Sequence, residues 1–175
     1  MRTKSVKAFV AIHAVNLRER MVPPLSNPFV LGNLNIGTMA TSTTSEPPPE
    51  LHSLVARLRK AIKKVDGDFV RKLQVDDGLS TYYSSTGEMM EKHVKGELQL
   101  FLFTSWCRFP FYEADFGWGK PIQITPVHLI LNNTVILVDT KCGKGIEAWV
   151  SLDKKDMARF QCEPELTAFT STSQG

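Results

Sequence analysis

The side chains best suited to chemistry gather between Ser105 and Gly119. Arg108 offers a planar fork of guanidinium donors that suits a carboxylate or a set of hydroxyls. Further on, Asp115-Phe116-Gly117-Trp118-Gly119 packs a carboxylate, two aromatics and two glycines into a run too tight for strand or helix. The glycines permit positive φ, so the run reads as a fixed turn that aims Asp115 and Trp118 in set directions. A carboxylate among aromatics is one pattern of an active-site acid. Other reactive groups are sparse. Cys107, Cys142 and Cys162 are odd in number and lack metal-ligand spacing, so they read as reduced thiols of a cytoplasmic protein. No Gly-x-Ser-x-Gly elbow supports a hydrolase.

Three stretches invite an anion. The segment Ser45 to Val55 leads into a helix whose first N–H groups suit a phosphate, yet Glu46 and Glu50 place negative charge there. Asn16-Leu17-Arg18 ends the first strand, where loops emerge and ligands bind; Arg18 and Arg20 read equally well as ordinary surface or ion-pair residues. Gly143-Lys144-Gly145 lacks the length and the Ser/Thr of a Walker loop and reads as a hairpin turn.

The whole run Thr104-Ser105-Trp106-Cys107-Arg108-Phe109-Pro110-Phe111-Tyr112-Glu113-Ala114-Asp115-Phe116-Gly117-Trp118-Gly119-Lys120-Pro121 resembles the signature of the BAHD family of plant acyl-CoA-dependent acyltransferases. The similarity begins at Ala14-Val15-Asn16-Leu17-Arg18 and runs to about Phe169. It implies an α/β (α+β) fold, a mixed β-sheet flanked by helices, as one half of a chloramphenicol acetyltransferase-like pair of domains. It also implies transfer of an acyl group from acyl-CoA, a co-substrate rather than a cofactor, to a hydroxyl or amine of a plant secondary metabolite. No metal is needed.

The same resemblance assigns CoA contacts near Asn16, Leu17 and Arg18 and at the helix start around Glu50 and Leu51. It lines the substrate channel with Ser105, Trp106 and Arg108, although Arg108 could instead pair with Glu113 or Asp115. Asp115, Phe116, Gly117, Trp118 and Gly119 become a structural motif, with Asp115 paired to a base such as Arg18, Arg20 or Arg71 and both aromatics packed in the core. The family's second motif, His-x-x-x-Asp, carries its general base. Four residues after His13, His52, His93 and His128 stand Leu17, Ala56, Glu97 and Asn132, so no histidine here completes it. His93 reads as a solvated surface residue. Residues 1–169 therefore correspond to the C-terminal domain of such an enzyme, with 170–175 a disordered tail; the sequence is either incompletely read from its gene or naturally shortened. On that reading the chain alone is inactive. The alternative is a non-catalytic remnant that binds CoA weakly or serves as a protein-interaction module, self-associating through an exposed channel face near Trp106 and Phe109.

Composition limits the partners. Lys and Arg total 21 against 18 Asp and Glu, a formal charge of +3, which argues against a nucleic-acid partner. The cluster Arg57, Arg59, Lys60, Lys63, Lys64 reads as one solvated helix face. No apolar run reaches the roughly 18 residues of a membrane span. The basic start Met1 to Lys7 precedes an apolar stretch without a small-residue cleavage site, and that stretch reads as a core strand.

These groups need elements to carry them. Val6 to Asn16 is β-branched and apolar and predicts a buried strand, and Leu34 to Thr44 a second. Between them, 18–33 is a loop rich in Pro and Gly. Leu51, Leu54, Val55, Leu58, Ile62 and Val65 fall on one helical face, predicting a helix that ends near Asp66-Gly67. Asp68 to Gln74 continues as a short helix, followed by a mobile polar stretch around 76–78 and 84–87. Strands are predicted over Glu97–Ser105, Ile122–Leu131, Thr134–Val138 and Gly145–Leu152, with a two-residue hairpin at Asn132-Asn133 and a turn over Thr140–Lys144. Asp153 should cap a last helix from Lys154 to about Gln161. The helices are expected on one side of the sheet.

Overall fold

The structure is a computed structural model that describes residues 8–25, 27, 30–43, 49–75, 77–126 and 132–170. Its strands hydrogen-bond in the order β2-β1-β3-β4-β5 as one mixed five-stranded sheet. Two compact units divide the chain, residues 1–103 and 104–175.

In the first unit, β1 (Ala8–Asn16) runs antiparallel to β2 (Asn35–Thr43) and parallel to β3 (Leu98–Ser105). Side chains alternate across a strand, so register assigns the faces. Val15, Ile36 and Thr38 share one face, and there the buried Thr38 hydroxyl donates to the Ala61 carbonyl of α1 (Leu51–Lys63) at 2.8 Å. Val10, Ile12, Met39, Leu98 and Leu100 lie on the other face, where they pack with Met89 of α3 (Gly78–Val94). Helices therefore cover both faces of this unit, a correction to the one-sided arrangement expected. The crossover from β2 to β3 carries α1 on one face and α3 on the other.

α1 follows its apolar period, but only the C-terminal part of that stripe is well covered. Val65, just beyond the helix, is 2% exposed, while Leu51 is 72% exposed. α2 (Gly67–Leu73) starts where the Asp66 carboxylate accepts the Phe69 N–H at 2.9 Å, satisfying an otherwise free donor of the first turn. α3 is the main surprise, a 17-residue helix where a mobile stretch was expected. Ser, Thr and Gly weaken its intrinsic preference, and tertiary contacts override it. The Tyr82 hydroxyl accepts from the Gly37 N–H at 3.2 Å and donates to the Gly37 carbonyl at 2.9 Å, sealing part of the open edge of β2. A Cβ at Gly37 would stand 2.9 Å from an Ile12 methyl and 3.4 Å from that hydroxyl, so glycine lets this approach happen. At its other end, half-buried His93 places Nδ1 3.1 Å from the Leu98 carbonyl and ties α3 to β3. His93 is thus no solvated histidine.

In the second unit, β4 (Thr134–Asp139) and β5 (Ile146–Ser151) pair antiparallel around buried Ile136 and Val138. The turn between them closes where Thr140 N–H donates to the Gly145 carbonyl at 2.9 Å and the Thr140 hydroxyl accepts the Gly145 N–H at 3.0 Å. α4 (Lys154–Phe160) is capped as expected, Asp153 Oδ1 accepting from Lys155 and Asp156 N–H at 3.0 and 2.9 Å. A short α5 (Pro164–Thr167), not anticipated, follows with proline in its first turn. The expected strand Ile122–Leu131 is irregular over 122–126, and 127–131 lie outside the described residues. Asn133 does take positive φ, 58°, but the other arm of its hairpin falls in that undescribed segment. Of the expected tail, Thr170 donates its hydroxyl to the Leu166 carbonyl at 2.9 Å and 171–175 are outside the description.

Candidate functional site

The residues expected to meet acyl-CoA in the first unit fall into two groups. Asn16 Oδ1 accepts the Arg18 N–H at 3.0 Å and folds the chain into a 3₁₀ turn, Arg18–Arg20. The Arg18 guanidinium then donates to the carbonyls of Val30 and Gly32 at 3.2 and 2.8 Å. Arg20 donates to the Ile62 carbonyl at 3.0 Å and also to that of Val65, closing the C-terminal end of α1. Both guanidinium groups are engaged on backbone oxygens of this unit.

Glu50 and Leu51 begin α1, and Glu50 Oε2 lies 3.1 Å from His52 Nδ1, both well exposed. The bonds Arg57 to Thr41 and Thr38 to Ala61 fix the direction of α1 along β2. Its N-terminus therefore lies towards Thr43 and Ala8, whereas Asn16 pairs with Asn35 at the opposite end. Nine residues of strand separate the two groups by on the order of 25 Å. The fold does not bring them together.

In the second unit, Ser105, Trp106 and Arg108 form one tight turn at the end of β3. Ser105 Oγ accepts the Cys107 N–H at 3.3 Å, and Trp106 donates its N–H to the Leu137 carbonyl at 2.8 Å. Arg108 adopts φ of +66°, uncommon outside glycine, and its backbone N–H donates to Asp139 Oδ2 at 2.6 Å. Asp139 is the carboxylate that sequence reading missed; it holds the Arg108 main chain, and the exposed guanidinium makes no ion pair with Glu113 or Asp115 among the described residues. Trp106 and Phe109 both meet Phe111 edge-on, at 5.9 and 5.5 Å between ring centroids.

The Asp115–Gly119 run is a fixed turn, as its glycines suggest. Gly117 and Gly119 take φ of +100° and +105°, and both donate their N–H groups to Asp115 Oδ1, at 2.8 and 3.1 Å. Within its own unit Asp115 makes no ion pair among the described residues. Its carboxylate is satisfied by its own loop. Phe116 and Trp118 are stacked on each other at 5.8 Å rather than packed in the core, and they are 73% and 85% exposed.

Two other titratable groups are shifted. Burial on the sheet holds the His13 imidazole below its ordinary pKa of 6.5. The exposed Cys142 thiol is lowered first by the Thr140 hydroxyl, whose oxygen stands 3.4 Å from Sγ, and then by the Lys144 backbone. Among the described residues, no three His, Cys, Asp or Glu side chains converge as a metal site, and no helix is long and apolar enough to cross a membrane.

A sequence profile of the Transferase family matches residues 1–167. The chain belongs to this family, the BAHD acyltransferases. Limonoid 1-O-acetyltransferase of Citrus sinensis is 36% identical to it, covering 93% of this chain and 36% of that protein. Limonoid 21-O-acetyltransferase of Melia azedarach is 40% identical over 91% of this chain and 36% of its own length. Salutaridinol 7-O-acetyltransferase of Papaver somniferum is 37% identical over 87% of this chain and 36% of its own length. The chain thus spans little more than a third of these BAHD relatives. Among solved structures, vinorine synthase superposes with a TM-score of 0.68 at 30% identity, over 90% of this chain and 34% of that one. TRI101 of F. sporotrichioides, complexed with coenzyme A and T-2, shares the fold at a TM-score of 0.59 and 19% identity, over 94% of this chain and 41% of that one. The turn at Ser105–Arg108 is built by its own loop and by β4, and the turn at Asp115–Gly119 by its own loop.

Proposed function

We propose that this chain supplies part of an acyl-CoA-dependent acyltransferase that moves an acyl group from a CoA thioester to a hydroxyl or amine of a plant secondary metabolite. The observation that carries this reading is the similarity of most of the chain to plant O-acetyltransferases, at 36–40% identity. Residues 1–169 are taken as a C-terminal-type domain. Asn16–Arg18 in the first unit and Ser105–Arg108 in the second are taken, each by itself, as ligand contacts rather than as reacting groups, because Asn16, Arg18 and Ser105 spend polar side-chain atoms on backbone partners. Three free cysteines support a cytoplasmic location.

No histidine of this chain has an aspartate four residues on, so a base of the family's kind is not among its residues. The chain alone is expected to give no transfer. General-base assistance contributes about 10²–10⁴-fold. The test supplies acetyl-CoA and a panel of polycyclic alcohols and follows free CoA together with ester. Activity of a longer polypeptide containing this segment, with none from the segment alone, supports the proposal. Ester formation by the segment alone would overturn the assignment of the base elsewhere.

A second reading, a non-catalytic module that contacts CoA weakly or other polypeptides, draws on the exposure of Phe116, Trp118 and Ile122, each above 70%. Concentration-dependent self-association by light scattering, lost on Trp118→Ser, is its test.

A further inference from the structure

Five cations, Arg57, Arg59, Lys60, Lys63 and Lys64, lie between Leu51 and Val65, with no acidic residue among them. Taking these five from the 21 basic side chains of the whole sequence leaves 16 against 18 acidic ones. The net positive charge is therefore concentrated on α1. Arg57 turns to the Thr41 carbonyl at 3.1 Å. The other four are exposed, and among the described residues none of them makes an ion pair. With Ala56 and Asp66 they line a shallow, open concavity of about 500 Å³, and the Asp66 carboxylate accepts the Phe69 N–H at 2.9 Å. Val55, Arg59 and Lys63 form one i,i+4 row of the helix, and Ala56, Lys60 and Lys64 the next. Each row begins on an exposed apolar residue and continues with two cations. Like charges at that spacing destabilise a helix, so folding alone does not call for this arrangement.

We propose that this flank of α1 docks on the anionic headgroups of a lipid bilayer. Its four free cations span about 7.5 Å of helix and meet several negative groups side by side, which relieves the repulsion within each row. The lysine stems and Val55 reach the boundary of the acyl chains. The contact lies in the plane of the surface, since no described helix is long and apolar enough to cross a membrane. Meanwhile the Thr38–Ala61 bond and buried Val65 keep the inner face of α1 on the sheet, so a protein that must wrap the whole helix has no access. Residues 51–65 hold no Phe, Tyr or Trp to stack on a nucleic-acid base. The nearly neutral remainder of the chain gives a second copy little to attract it. The inference goes beyond acyl transfer and needs neither a base nor a thioester. Glu50 and Leu51, where a CoA contact is expected, lie about 12 Å along the helix from Arg59.

The experiment floats the full chain with vesicles of phosphatidylcholine alone and of phosphatidylcholine mixed with phosphatidylserine. Expected is binding about tenfold or more tighter to the mixed vesicles, because each cation near an anionic leaflet adds about fivefold. Raised salt should abolish the difference. Lys60→Glu with Lys63→Glu should weaken binding about twentyfold or more with an unchanged melting curve, whereas Lys60→Arg with Lys63→Arg should retain it. Lys154→Glu with Lys155→Glu makes the same change of net charge on α4 and should leave binding within about twofold. Arg59→Gln with Lys64→Gln neutralises the same flank without reversing its sign and should weaken binding about tenfold, which keeps the test open if the glutamate pair disturbs folding. Equal affinity for both vesicles, an equal loss in the α4 variant, or binding indifferent to salt would overturn the proposal. So would release by CoA at a concentration where inorganic phosphate has no effect, which would assign these cations to the co-substrate. Equal affinity for a soluble oligoglutamate peptide would overturn it in favour of an acidic protein.

Discussion

Arg20 and Asp115 each settle a single charge on backbone groups, over very different spans of chain. Arg20 reaches carbonyls 42 and 45 residues away, so its bonds exist only once β1 and α1 have met. Asp115 reaches amides two and four residues away, so its bonds form within one loop and ask nothing of the rest of the unit. The first is a tertiary clamp and the second a local brace. The contrast separates what a charge does for stability from what it does for shape, and it predicts unequal consequences when each is removed.

The largest effect should come from Arg20→Ala. Hydrogen bonds from a charged donor contribute about 1.5–3 kcal/mol, and the carbonyls left behind at the end of α1 are only part-exposed. A loss of about 2–3 kcal/mol in urea unfolding is expected, with Arg20→Lys recovering only part because an ammonium lacks the fork. A loss below about 0.5 kcal/mol would show that the clamp is not formed in solution.

Tyr82→Phe comes next, at about 1–2 kcal/mol, since it strips both Gly37 backbone groups of their partner while leaving the ring in place. Amide exchange should quicken at Gly37 and along the first turns of α3. Unchanged exchange there would mean that the helix does not depend on this edge contact.

Asp115→Ala should cost less, about 0.5–1 kcal/mol, in line with the loss of a side-chain cap on backbone donors. The global melting curve should barely move, while exchange of the Gly117 and Gly119 amides accelerates and Trp118 emission changes as its stacking on Phe116 loosens. A global loss of several kcal/mol would restore Asp115 as a buried ionic anchor and erase the contrast with Arg20.

How far these roles can be read beforehand depends on the range of the interaction. The strands β1 and β3, α1 and the Asp153 cap are written in local pattern: β-branched runs, a 3.6-residue apolar period, and a carboxylate just before a helix. The fixed turn at 115–119 is legible for the same reason, because its glycines and its carboxylate are neighbours in sequence. α3 is not legible, since Ser84, Ser85, Thr86 and Gly87 argue for a loop until Gly37 and Leu98 supply partners from other elements. The Gly37 position inside a strand was the available signal, as a strand glycine marks close approach of another group. Sequence leaves Arg18 and Arg20 open between a CoA contact and an ordinary surface or ion-pair role, and within their unit both donate to neutral backbone carbonyls; Asp115 accepts from backbone N–H groups of its own loop.

The smallest effect separates burial from hydrogen bonding by pH. His13 lies in register with Thr38 on one side and Phe103 on the other, with no charged residue at either position. Burial lowers its pKa in the folded chain below the ordinary 6.5, so the folded state binds fewer protons than the unfolded one between those two values. Stability from this group is therefore fully present above about pH 6.5, falls as pH drops through that value, and levels off below the folded pKa. Urea unfolding from pH 8 down to pH 5 should show this slope in the native chain and a shallower one in His13→Gln, where nothing remains to protonate at that position. Arg20→Ala should shift the whole curve down without changing its shape, because a guanidinium stays charged throughout. Parallel slopes for the native chain and His13→Gln would mean that the imidazole is solvated in the folded protein, and the face of the sheet carrying His13 would then be more open than its packing indicates.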